Sequence, residues 1–134
     1  MRKQYINGEW CDAIDGGVWN VQSPSSEEII DTVPFGNTAD CKAAIAAADA
    51  SFKEWKNTTP YCRAEILKKV ANYMRANAES FAKETSLETG KPMLESRGEW
   101  QVSANLFEWY AEEGKRNYGR VVPTNRADKR SMVI

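Results

Sequence analysis

Thr59-Pro60-Tyr-Cys-Arg-Ala-Glu-Ile-Leu-Lys-Lys-Val-Ala-Asn-Tyr-Met-Arg-Ala-Asn-Ala-Glu-Ser-Phe-Ala-Lys-Glu-Thr-Ser-Leu-Glu-Thr89-Gly90-Lys91-Pro92 is the stretch that decides the architecture. Thr59 is an N-cap residue and Pro60 suits the first helical position, where its missing N–H costs nothing. Ile66, Leu67, Val70, Tyr73, Met74 and Phe81 recur at helical steps on one face, with Arg63, Lys68, Lys69, Arg75 and Lys83 largely on the other. The spacing predicts one helix over about 60–89. Gly90-Lys91-Pro92 ends it with a residue that tolerates left-handed backbone and one that cannot continue a helix.

On either side the pattern stays helical. Downstream, Trp100, Ala104, Phe107, Tyr110 and Ala111 predict an aromatic and alanine core stripe on a helix over about 93–118. Upstream, Thr38 is the expected N-cap of a helix over about 38–56, with Asp40 at its positive end. Its positions Ala44, Ile45, Ala48, Phe52 and Trp55 form an expected buried stripe, narrow enough for a neighbour to approach closely.

The ends read as β structure. Residues 4–33 alternate short β-prone pieces with turn chemistry at Asn7-Gly8, Asp15-Gly16-Gly17 and Ser23-Pro24-Ser25, which predicts two hairpin-like strands and a third ending near Val33. From 120 onward, Val121-Val122-Pro123 and Ser131-Met132-Val133-Ile134 bracket a polar turn. An uncapped strand at the C-terminus leaves a sticky edge, and this points to a truncated domain. The residues thus specify an α+β chain with N-terminal hairpin strands, three long amphipathic helices and C-terminal strands.

Composition narrows the function. With 42% hydrophobic and 28% charged residues the chain is globular, not disordered. No apolar run reaches the ~20 residues of a bilayer span and no signal peptide opens the chain, so a cytoplasmic protein without a membrane partner is expected. Cys11, Cys41 and Cys62 are widely spaced, as expected of reduced thiols and neither a disulfide framework nor a zinc site. The complete lack of histidine removes Ser-His-Asp and Cys-His activation. Six of the 18 basic side chains but one of the 19 acidic ones fall in residues 115–134. Lys115, Arg116, Arg120, Arg126, Lys129 and Arg130 carry no interleaved aromatics, so they read as a solvated face or a surface for an acidic partner, with no nucleic acid expected.

Taken in order, several stretches resemble the aldehyde dehydrogenase superfamily along essentially the whole chain. They are Tyr5-Ile-Asn-Gly-Glu-Trp10, Glu28-Ile-Ile-Asp-Thr-Val-Pro34, Ala44-Ile45 through Phe52-Lys-Glu-Trp55, Arg63-Ala-Glu-Ile-Leu67, Glu84-Thr-Ser-Leu-Glu-Thr-Gly-Lys-Pro92, Trp109-Tyr-Ala-Glu-Glu-Gly-Lys-Arg116 and Tyr118-Gly119. The wording is most similar to the succinate-semialdehyde dehydrogenase branch. The resemblance implies an α/β, Rossmann-like parent fold, with residues 1–119 in the N-terminal part of the nucleotide-binding domain and 120–134 opening the oligomerisation arm. It implies oxidation of an aldehyde with NAD or NADP by a homo-oligomer: a thiolate attacks the carbonyl, hydride leaves to nicotinamide and water hydrolyses the thioester.

The same resemblance puts the nucleophile, the oxyanion asparagine, the glutamate base and the nucleotide loop beyond residue 134. No catalytic or cofactor-binding residue is therefore expected here, and neither turnover nor cofactor binding is expected of this chain alone. Cys41 and Cys62 lie near helix starts, where thiol pKa values can fall, but they and Cys11 are rejected as nucleophiles. Two low-count sites remain: a monovalent cation held by the Glu88 carboxylate and the Val21 carbonyl, and a substrate-entrance wall carrying Gly98 and Val102. Glu88 reads equally as a solvated carboxylate, since one carboxylate is a sparse oxygen set. For Gly98, which costs about 1 kcal/mol relative to alanine inside a helix, close packing is the first explanation and room for substrate the second. The alternative to a dehydrogenase fragment is a self-contained, non-catalytic helical module that covers its apolar faces by self-association or a protein partner.

Overall fold

The computed structural model describes residues 2–133. Six strands and four α-helices follow in the order β1 (Gln4–Ile6), β2 (Glu9–Cys11), β3 (Val18–Gln22), β4 (Ile29–Pro34), α1 (Thr38–Trp55), α2 (Pro60–Ala76), α3 (Ala78–Thr89), α4 (Met93–Glu113), β5 (Arg120–Val122) and β6 (Ser131–Val133). The strands form three separate antiparallel ribbons, β1-β2, β3-β4 and β5-β6. The N-terminal region thus has four strands where three were expected. Asn7 and Gly8 both take positive φ, 54° and 84°, the two-residue turn that matches the strand twist. Asp15-Gly16-Gly17 links β2 to β3, which do not pair; its Asp15 carboxylate accepts from Gly17 N at 2.9 Å and Asn37 Nδ2 at 2.8 Å. The last expected strand residue, Ile134, lies outside the described residues.

The N-cap of α1 is Asn37, one residue before the expected Thr38: its Oδ1 accepts from Ala39 N at 2.7 Å while Asp40 accepts from Asn37 N at 2.9 Å. Asp40 is buried and also accepts from Ile14 N at 3.1 Å, so one carboxylate ties the helix start to the β2–β3 link. The predicted helix over 60–89 is two helices, broken at Asn77 with φ −113° and ψ 11°. There the Asn77 side-chain amide donates to the Tyr73 carbonyl at 2.9 Å, sharing that acceptor with its own backbone N–H at 3.1 Å, a local alternative that loosens the helical path. At the far end α4 stops at Glu113 and passes into a 3₁₀ turn over Gly114–Arg116, short of the expected 118.

Antiparallel packing of α2 and α3 against α4 makes the core, and its buried apolar side chains in the helices are all alanine: Ala64, Ala71, Ala82, Ala104 and Ala111. Small side chains let the helix backbones approach closely. Phe81 flanks the seam, with its ring 4.6 Å from Trp100 and 5.9 Å from Tyr73. Trp100 is half-buried and donates from Nε1 to Thr85 Oγ1 at 3.0 Å. The rest of the predicted aromatic stripe is not core: Phe107 and Tyr110 are exposed. Nor is the α1 stripe buried, with Ile45 63% and Phe52 57% exposed. Helix α1 meets the described residues chiefly at the β1 edge, which half-buries Ala44 and leaves most of that face uncovered among them.

Candidate functional site

Gly98, Val102, Asn105 and Trp109 follow one another along α4 at steps of four, three and four residues, which places them on one face. Val102, Asn105, Leu106, Trp109 and Tyr110 line an open, mainly apolar groove of about 380 Å³. A Cβ built on Gly98 meets no heavy atom within 4 Å, so close packing among the described residues does not account for this glycine. Asn105 is the polar member of the groove. Its Oδ1 accepts from Arg75 Nη2 at 3.0 Å and from Gln101 Nε2 at 3.1 Å, and Arg75 is anchored in turn on Glu108 at 2.5 Å. Sequence reasoning missed Asn105, although its place in the Gly98–Val102–Trp109 register was a signal that could have found it.

Glu88 and Val21 come from opposite sides of a packed junction. Gly90, at φ 75°, ends α3 so close to the turn after β3 that a Cβ there would lie 3.1 Å from Pro24 Cγ. Val21 is half-buried opposite Asp31, and the β3-β4 register shifts between Val21 and Gln22. Glu88 is exposed in the last turn of α3 and makes no ion pair among the described residues. One turn earlier Glu84 is occupied by Arg2, which at 2.7 Å and 2.9 Å clips Glu84 to Asp31. Both carboxylates and the junction are therefore held in place from the N-terminus. Among the described residues no group of three or more His, Cys, Asp or Glu side chains gathers where a metal ion could sit.

Elsewhere the ionisable groups are structural. Glu112 bridges Lys68 at 2.7 Å and Lys115 at 2.9 Å, and these hydrogen bonds, Lys68 first, lower its carboxyl pKa to about 2. Lys115 also lies 5.4 Å from the centre of the Tyr61 ring. Three of the six basic residues in the basic segment are paired, Lys115 with Glu112, Arg116 with Glu113 and Arg126 with Asp128. Cys41 and Cys62 are exposed and Cys11 half-buried, and none has a base or cation bonded to its sulfur among the described residues. No helix among the described residues is long and apolar enough to cross a membrane.

The pattern of the aldehyde dehydrogenase family matches residues 10–134. The chain is 40% identical over 133 residues to the glutarate-semialdehyde dehydrogenase of Pseudomonas putida, covering 99% of this chain and 28% of that protein. It is also 40% identical over 129 residues to the NADP(+) succinate-semialdehyde dehydrogenase of Escherichia coli, covering 96% of this chain and 27% of that one. Among solved structures, betaine aldehyde dehydrogenase from Staphylococcus aureus in complex with NAD+ superposes with a TM-score of 0.91 at 27% identity, over 98% of this chain and 27% of its own. The chain thus spans little more than a quarter of the length of these proteins. Family pattern, ordered relatives and superposed backbone agree along the chain, and it belongs to the aldehyde dehydrogenase family.

Proposed function

We propose that this chain serves as the N-terminal part of an NAD(P)-dependent dehydrogenase that oxidises a short semialdehyde, succinate semialdehyde or one like it, to the carboxylic acid. The observation that carries the reading is the agreement of family pattern and backbone over nearly the whole chain, at 40% identity to two semialdehyde dehydrogenases. Residues 1–119 contribute to the nucleotide-binding domain and 120–134 start the oligomerisation arm of a homo-oligomer in the cytoplasm. The nicotinamide cofactor supplies the hydride acceptor. This chain's own part is support and access: the alanine seam fixes α4 on α2, and α4 presents Gly98 and Val102 as a wall of the substrate entrance.

The open space over Gly98 and the exposure of Val102 support that wall, because a glycine inside a helix with no packing neighbour among the described residues leaves room for something else. At the α3–β3 junction, Glu88 and the Val21 carbonyl suit a monovalent cation: one carboxylate with peptide oxygens matches a single charge, whereas a divalent ion takes a richer oxygen set. A second reading, self-association through uncovered faces, is favoured by the exposure of Ile45, Phe52, Leu106 and Trp109.

The test joins residues 1–134 to the remaining residues of the Pseudomonas putida glutarate-semialdehyde dehydrogenase and follows NADH or NADPH absorbance with glutarate and succinate semialdehyde. The chimera is expected to turn over while the 134-residue chain alone gives no signal. Turnover by the isolated chain, or a folded chimera with no activity, refutes the assignment. Light scattering on the isolated chain separates the second reading, which requires a dimer or larger.

A further inference from the structure

We infer that Asn7 is the chain's site of spontaneous deamidation, and that the isoaspartate formed there unlocks the β1-β2 ribbon from α1. The inference concerns a covalent modification that needs only water, and it stands apart from the dehydrogenase chemistry.

Of the nine asparagines only Asn7 is followed by glycine. A glycine has no Cβ to hinder its backbone nitrogen, and an intramolecular attack depends on that approach. Hydroxide takes the Gly8 amide proton, the nitrogen bonds to Asn7 Cγ, and the Cγ–Nδ2 bond breaks as ammonia leaves. Water then opens the cyclic imide at either carbonyl, so the sum is asparagine plus water giving aspartate or isoaspartate plus ammonia, with no oxidation. Asn7 and Gly8 are exposed, a Cβ built on Gly8 meets no heavy atom within 4 Å, and no backbone hydrogen bond holds the Gly8 N–H among the described residues. Competing side chains are tied down: Asn37 donates from Nδ2 to Asp15 at 2.8 Å, Asn57 to the Lys53 carbonyl at 2.9 Å and Asn77 to the Tyr73 carbonyl at 2.9 Å. Asp15, which also precedes a glycine, has its carboxylate held by Gly17 N and Asn37 Nδ2.

The left-handed backbone at Asn7 turns the Gly8 nitrogen away from the side chain, so the turn opens before the ring closes. The ribbon permits this, because its strands are three residues long and belong to no larger sheet. Aspartate suits the same turn, since Asp-Gly also accepts two left-handed positions. Isoaspartate instead adds a methylene to the backbone of a two-residue turn whose length sets the register, and the Ile6–Glu9 and Tyr5–Trp10 pairs are lost. Tyr5 and Ile6 then leave the cleft that they line with Ala44 and Ala48 of α1.

The test incubates the 134-residue chain at mildly alkaline pH in 18O water and maps the labelled acids by peptide mass spectrometry. Asn7 is expected to convert ahead of every other asparagine, and no more than about tenfold slower than in the excised peptide of residues 4–11, because an isolated two-stranded ribbon is only marginally stable. The isoaspartyl form, isolated chromatographically, should lose amide-exchange protection in β1 and β2 while the α2–α4 seam keeps its own. Freshly purified Asn7→Asp, which carries the charge without the extra methylene, should keep the ribbon. Conversion of another asparagine or of Asp15 first overturns the inference. So does a ribbon that stays protected in the isoaspartyl form, or one already lost in Asn7→Asp.

Discussion

Replacing Ala104 by leucine should unfold this chain more readily than replacing Ile45 by alanine, the reverse of what hydrophobicity alone suggests. Ala104 is 0% exposed in the α2–α4 seam, so the added isobutyl atoms have no space and must spread the helices or force strained rotamers. Overpacking of that kind costs about 1–3 kcal/mol. For a chain of this size that is a fall in Tm of roughly 3–12 °C. Ile45 is 63% exposed on α1, so its truncation removes little burial, and alanine is the better helix former. The expected change there is within about 0.5 kcal/mol. Urea unfolding of the two variants, followed by circular dichroism at 222 nm and tryptophan fluorescence, reads both directly. If Ile45→Ala lost more stability than Ala104→Leu, α1 would be packed on a core and the alanine seam would not be the centre of the fold.

Three further outcomes follow from particular atoms. Glu27 sits at φ 60° in the β3–β4 turn, where its backbone already bonds to Ser23 and Gln22; Glu27→Gly relieves the left-handed strain and should stabilise by about 0.5–1 kcal/mol, with a loss in thermal unfolding counting against it. The Ser96 hydroxyl is fully buried with no hydrogen-bond partner among the described residues, so Ser96→Ala should be neutral or stabilising by up to about 1 kcal/mol; a clear destabilisation would mean that the hydroxyl has a partner. Glu112 titrates at about 2 in the folded chain against 4.5 unbonded, so its contribution is complete above the unfolded value and is lost as pH falls from about 4.5 through about 2. The stability gap between wild type and Glu112→Gln should narrow over that window and also in 1 M salt, and a gap independent of pH would sink the Lys68–Glu112–Lys115 clasp.

The sequence by itself determined the elements that depend on neighbours along the chain. Asn7-Gly8, Thr59-Pro60 and Gly90-Lys91-Pro92 work through backbone geometry and caps, and each marks a boundary found in the fold. The ordered stretches from Tyr5 to Gly119 likewise carried the family. Tertiary structure decided what periodicity cannot express. A stripe such as Ala44, Ile45, Ala48, Phe52 and Trp55 states which face is apolar, but burial depends on whether another element reaches it, and among the described residues the β1 edge half-buries Ala44 and leaves Ile45 and Phe52 exposed. The break falls at Asn77, where side-chain amide and backbone N–H share the Tyr73 carbonyl within a run of otherwise good helix formers. Gly98 and Val102 were named through resemblance alone, whereas the bond from Arg75 to the Asn105 oxygen exists only because α2 packs across α4. That bond joins residues 30 positions apart, and no pattern along a single helix could have shown which way the amide faces.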